Sequence, residues 1–189
     1  MVLLGATLPA CSDDSEQADD DGPLDTSGGA DTSSTGAEPV DVGELASCPE
    51  DDLMVQAFAG PAFDPETGEL VEPLPASYVV ATTVGWPNAD GYELLGMQTN
   101  LVVGDLFTRD GLLGASFGMS ESCGSARTIS LWRDEAAMMQ FVIGDAHTTA
   151  IQTALPATRA WETTHWTETE TTAPPTWERA RAQLDAARP

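Results

Sequence analysis

From Tyr78 onward the chain alternates between two hydrophobic periods, one of about two residues and one of about three and a half. Tyr78–Trp86, YVVATTVGW, carries apolar groups on both faces, as expected of a central strand covered on one side by helices and on the other by a partner or a pocket. Leu94, Leu95, Met97, Leu101, Val102, Leu106 and Phe107 then recur at helical spacing, with Asn88 and Asp90 placed to cap the helix. Asp110-Gly111 turns the chain. Leu113, Ala115, Phe117 and Met119 form one face of a second strand, and Gly114, Ser116 and Gly118 the other. A face of such small residues makes either a cleft or a tight packing contact.

The stretch from Ser125 to Trp166 organises the domain. Thr128, Ser130 and Trp132 alternate with Ile129 and Leu131 in a third strand. Asp134 stands at a helix N-cap, followed by an apolar stripe of Ala137, Met138, Phe141 and Val142. Gly144 ends that helix, and Asp145 is expected to cap a short second one with His147, Ile151 and Ala154 or Leu155 on one face. Pro156 closes it, because a proline disfavours helical geometry in the residue before it. Ala160–Thr167 reads as a fourth strand, and Trp177–Ala187 as a closing helix with Trp177, Ala180 and Leu184 along one side. The order β-α-β-β-α-β predicts an α+β domain of ferredoxin-like build, an antiparallel sheet backed by helices.

Upstream the pattern vanishes. Residues 12–47 are Asp, Ser, Thr, Gly and Glu with almost no large apolar side chain, so they cannot offset their ordering entropy and predict a disordered acidic linker. Residues 48–76 form an irregular pre-domain segment, and the domain proper spans 77–189. Of the net charge of −24, much sits in this tail; Lys is absent and no Arg precedes Arg109. Nucleic acid is thereby excluded as a partner, since phosphate binding needs a basic footprint.

Met1–Cys11, MVLLGATLPAC, ends in L-P-A-C and resembles the lipobox of a bacterial lipoprotein signal, with Cys11 as the lipidated residue. It lacks the positive n-region of such signals. The apolar run is far shorter than the roughly 20 residues that span a bilayer. The expectation is a protein of the bacterial cell envelope, periplasmic or on the outer surface, held to the membrane by lipid on Cys11. Cys48 and Cys123 remain. An oxidising compartment favours a disulfide between them, with two free thiols or a metal pair as alternatives, although no C-x-x-C is present.

Candidate chemistry is sparse. His147 is the one residue nominated for catalysis, as a base or as a ligand to haem or another metal; the competing reading has it bonded to a backbone carbonyl near its helix start. Trp132 and Trp166, expected to end adjacent strands, are candidates to line an aromatic pocket with Ser130 and Phe141, or equally to serve as core or dimer-interface residues; Phe141, Met138 and Met139 read as core rather than as a cofactor box. Arg133 would bind an anionic ligand or pair with Asp134 or Glu135, and His165 reads as a partly exposed strand residue. No metal site is expected. No G-x-S-x-G, H-E-x-x-H, P-loop or dinucleotide fingerprint occurs, which leaves the corresponding hydrolase, protease and nucleotide classes without motif support.

A strand followed by SLWRDEAAMMQF (Ser130–Phe141), then GDAH (Gly144–His147), then a Trp-bearing strand resembles the dimeric α+β barrel superfamily. That superfamily includes the antibiotic-biosynthesis-monooxygenase-like proteins, the DUF3291-type domains and the spheroidene-monooxygenase-like group. The likeness covers about Tyr78 to Leu184 and implies a homodimer formed through the sheet. Two functions stay open. One is a surface lipoprotein that binds a small hydrophobic ligand or has no catalytic role. The other is a monooxygenase-like enzyme acting on a hydrophobic small molecule in the cleft between helices and sheet, with haem on His147. Packing alone does not transmit an activity.

Overall fold

A computed structural model describes residues 40–188. The lipidation site at Cys11 and the linker from residue 12 to 39 lie outside the described residues. In chain order the elements are α1 (Val42–Ala46), β1 (Met54–Val55), β2 (Tyr78–Pro87), α2 (Tyr92–Leu106), β3 (Leu112–Ser120), β4 (Ser125–Trp132), α3 (Glu135–Val142), α4 (Asp145–Ala154), β5 (Thr158–Glu168) and α5 (Trp177–Ala187). The strands form one antiparallel sheet in the order β1-β3-β4-β2-β5. Stripped of β1, this is the ferredoxin-like arrangement, with the first and last long strands side by side: Val80 pairs with Trp166 and Thr82 with Thr164. Among the described residues, no helix is long and apolar enough to cross a membrane.

Local chemistry accounts for the element ends. The Asp134 carboxylate accepts from the amide of Ala137 at 2.8 Å and starts α3. Thr176 does the same for α5 through the Arg179 amide. Three expected caps differ. Asp145 is already the first residue of α4, whose cap position is Gly144, and α2 starts from Gly91 with no side-chain cap. Asn88 is turned instead to the end of the Leu155–Ala157 turn, where its backbone N–H donates to the Ala157 carbonyl and its side-chain amide to that of Pro156. The stretch read as linker closes in α1, because Asp41 caps it and Val42, Leu45 and Ala46 pack against Val84, Trp86 and Leu184.

The sheet has two unlike sides. On the helix side, Val79, Leu112, Ala115 and Trp132 pack against Leu106 of α2 and Ala137, Met138 and Phe141 of α3. On the far side, Tyr78, Val80, Ile129 and Leu131 meet Phe63, Leu74 and Ala180. The far side is thus covered by the chain's own residues 48–76 and α5, and the sheet gains a fifth strand from that segment. A one-residue bulge between Leu112 and Gly114 moves Leu113 to the far side, away from Ala115 and Phe117. The small-residue face of β3 makes the tight contact rather than a cleft. A Cβ on Gly114 would lie 2.4 Å from the Phe63 ring, one on Gly118 3.3 Å from Leu53, and the Ser116 hydroxyl donates to the Gln56 carbonyl at 2.7 Å.

The segment is fastened at the β3–β4 turn. Cys48 and Cys123 form a disulfide, Cα–Cα 5.8 Å, across 75 residues. Asp52 accepts from the Ser122 amide at 2.8 Å and from the hydroxyls of Ser120 and Ser122, which hold its carboxyl far below the usual range. Beside it, Glu50 chelates the Arg127 side chain at 2.7 and 2.9 Å, both residues about 95% buried, and accepts from Ser125. Closing so long a loop stabilises the fold by about 4 kcal/mol in the chain-entropy account. Urea denaturation of the double variant Cys48→Ser, Cys123→Ser is therefore expected to show a loss of about that size, and a loss under about 1 kcal/mol would mean that the staple constrains little.

Candidate functional site

The strands at the middle of the sheet are buried on one face only. Along β2, Val80, Thr82, Val84 and Trp86 are buried while Ala81, Thr83 and Gly85 stay partly open; along β4, Arg127, Ile129 and Leu131 are buried while Ala126, Thr128 and Ser130 do not close. All six open positions lie on the helix side. The helices therefore seal only the end of that side, around Val79 and Trp132, and leave the rest as a shallow trough.

Register decides what lines it. Met54 pairs with Met119, Met119 with Ala126, Ala126 with Gly85, and Gly85 with Trp161, so five apolar residues cross the sheet in one row. Met54, Met119 and Trp161 are 67%, 48% and 44% exposed. A Cβ built on Gly85 meets nothing within 4 Å. Two small residues thus form a floor between two bulky walls. At about 4.8 Å between neighbouring strands, Met119 and Trp161 stand roughly 14 Å apart, the span of a two- or three-ring molecule. Phe117 pairs with Thr128 in the next row, followed by Thr83 and Thr163. The Thr83 hydroxyl donates to that of Thr163 at 3.2 Å. At the open end, Tyr92 of α2 places its hydroxyl 2.9 Å from where a Gly124 Cβ would sit.

The residues nominated from the sequence are dispersed by this geometry. Trp132 and Trp166 do not share a pocket. Their strands are both neighbours of β2 rather than of each other, and Trp132 pairs with Val79 on the helix side while Trp166 pairs with Val80 on the far side. One residue of register separates the two pairings, and in a strand one residue reverses the face. Trp132 is wholly buried, donating from its indole to Ser130 Oγ at 2.9 Å and packing on Phe141 at 5.3 Å between ring centres. Trp166 donates to Glu168. Arg133 is exposed and pairs with Asp134 at 3.1 Å. Of the nominated set, Ser130 alone faces the trough.

His147 lies on α4, away from that row. Its Nδ1 sits 3.0 Å from the Val142 carbonyl, and its ring rests on Phe141 at 4.8 Å. Burial pushes its pKa down, against smaller upward contributions from the Val142 bond and from Asp105. The imidazole is therefore neutral near pH 7, with its Nδ1 proton on the carbonyl. The Nδ1 bond to the backbone leaves Nε2 as the ring nitrogen able to ligate or accept, with Phe141 against the ring. Two surface hollows of the domain lie elsewhere, one lined by Glu168, Pro174 and Arg179, the other by Pro49, Leu53, Trp177 and Arg181. Among the described residues no group of three or more His, Cys, Asp or Glu is arranged to hold a metal ion. The residues missed from sequence are Gly85, Met119, Ala126 and Trp161; only the register brings them into one row.

No family model matches the chain, and no curated protein matches it. Solved structures are similar in fold. A protein from Shewanella oneidensis is 12% identical with a TM-score of 0.46, the match covering 50% of this chain and 94% of that one. A protein from Mycobacterium tuberculosis is 14% identical with a TM-score of 0.45, over 52% and 96%. An antibiotic biosynthesis monooxygenase is 13% identical with a TM-score of 0.43, over 51% and 99%. At such identities the likeness is one of strand and helix arrangement and brings no activity with it.

Because the His147 pKa lies below the ordinary imidazole value near 6.5, the unfolded chain binds the extra proton first, and stability falls as pH drops through that region. Melting temperature is expected to decline between pH 7.5 and 5 in the wild type and to decline less in His147→Leu; superimposed profiles would contradict the buried, neutral imidazole.

Proposed function

We propose that this chain is a cell-envelope lipoprotein, anchored through Cys11, whose ferredoxin-like domain binds a small uncharged apolar molecule in the helix-side trough. The observation that carries the reading is the one-sided exposure of the two central strands, which a sheet packed for stability alone would bury. The trough has the make-up of a binding surface: an apolar row from Met119 to Trp161, with the hydroxyls of Thr83, Thr128 and Ser130 as its polar groups. The row from Met119 to Trp161 is free of charge, while Arg159 stands beside Tyr92 at the open end and His165, in the row of Ser130 and Ala81, lies 3.8 Å from Glu135. A flat, apolar ligand of two or three rings suits that row.

Binding rather than catalysis is our reading because the polar groups in the apolar row's neighbourhood are hydroxyls partly occupied with one another or with Trp132, and the one imidazole on that face, His165, stands in the row of Ser130 beside Glu135 rather than in the apolar row. The location is supported from a second direction. The Cys48–Cys123 disulfide belongs to an oxidising compartment, as a protein exported past the inner membrane would meet.

Gly85→Leu tests the site directly. The side chain has open space to enter, so the fold tolerates it, and it fills the floor of the trough. With Nile red as the probe, the wild type is expected to bind with enhanced fluorescence and the variant to lose about ten-fold or more in affinity at unchanged melting temperature. A wild type that leaves the dye dark, or a variant that binds equally well, would overturn the proposal.

A further inference from the structure

One edge of the sheet is covered and the other is bare. Along β3, β1 and the chain beyond it lie alongside: the amides of Gln56, Ala59 and Ala62 donate to Phe117, Ala115 and Leu113 at 2.8–2.9 Å. Along β5, eleven residues long, no strand pairs on the outer side among the described residues. Long edges of this kind are commonly blunted by proline, bulges or outward charge. Here β5 contains no proline, its one irregularity is near its start at Trp86/Pro87, and its two carboxylates are turned to α5, Glu162 to Arg188 at 2.8 Å and Glu168 to Arg179 at 2.7 Å.

Which backbone groups face outward is set by two side-chain bonds. The Thr163 hydroxyl donates to the Thr82 carbonyl at 3.0 Å, so that carbonyl points toward β5. The Thr82 hydroxyl donates to the Thr128 carbonyl at 2.9 Å, which puts Thr128 and its partner Thr83 in a bonded pair between β2 and β4. Alternation along an antiparallel ladder then makes Thr82 and Thr164 a bonded pair and leaves the N–H and C=O of Trp161, Thr163, His165 and Thr167 aimed at the open edge.

We propose that β5 pairs with β5 of a second copy of this chain, antiparallel about a two-fold axis at Thr163, joining two sheets edge to edge. A two-fold centred on a residue, rather than between residues, sets outward-facing donors opposite outward-facing acceptors, and the choice among such registers falls to length and charge. Centring on Thr163 uses all eleven residues and sets Trp161 opposite the partner's His165, Ala160 opposite the partner's Trp166, and no like charges opposite each other. Centring on His165 would set Glu162 against the partner's Glu168, and centring on Trp161 would shorten the ladder. The second copy also completes the trough, because the partner's His165 stacks on Trp161, its outer wall. The pairing does not depend on what the trough binds.

Sedimentation velocity on the full chain, from about 1 to 100 μM, tests it. The expected result is a concentration-dependent species at twice the 19.8 kDa chain mass. Two variants act at the axis. Thr163→Pro removes an outward N–H, which an edge strand tolerates, and Thr163→Lys places two ammonium groups opposite each other. Each is expected to weaken association about ten-fold or more, with circular dichroism and melting showing a folded monomer. A wild type that sediments as a monomer throughout, or a dimer undiminished in both folded variants, would overturn the proposal.

Discussion

A buried arginine on a sheet strand dictates the rest of this architecture. Arg127 sits mid-strand on the far side of β4, about 95% buried, where an uncompensated guanidinium would be untenable. Glu50 neutralises it and reaches Arg181 of α5 at 3.8 Å, while Arg181 also donates to the carbonyls of Ala46, Cys48 and Pro49. One carboxylate thus joins three parts of the chain: the segment before the domain, the sheet and the final helix. Losing one partner from such a pair costs about 3–5 kcal/mol, so the sheet is complete only with the segment in place. The strain is local, for Glu50 itself adopts φ 55°, an uncommon conformation for a residue with a side chain.

That constraint makes the two sides unequal. The far side, where the strand pattern predicts a partner or a pocket, is filled by Phe63, Leu74, Ala180 and Leu184 of the same chain. The helix side is left with its floor half open, and among the described residues β5 is a sheet edge that no strand covers. The proposed ligand surface and the proposed interaction edge both lie on the part of the sheet that the N-terminal segment does not cover.

The ferredoxin-like order was legible because each long strand and helix carries its own periodicity and its own stops: Asp134 and Gly144 bracket α3, and Pro156 precedes β5. The linked cysteines were also legible, by count and compartment. The site was not. Gly85 and Ala126 look like weak strand residues until the register sets them between Met119 and Trp161, and register is a property of pairing, not of any single segment. Trp132 and Trp166 failed as a pair for the same reason. The role of residues 48–63 was hidden because two residues of regular strand and a disulfide give no periodic signal, and the small residues of β3 admitted a cleft and a packing contact equally.

The central claim is that residues 48–63 form an integral layer of the domain rather than a flap laid over it. Native-state hydrogen exchange reads this at the amides of Gln56, Ala59 and Ala62, whose bonds cross to β3. These amides are expected to exchange with the same opening free energy as those of β2 and β4. Exchange orders of magnitude faster than in those strands, with β2–β4 still protected, would contradict the claim.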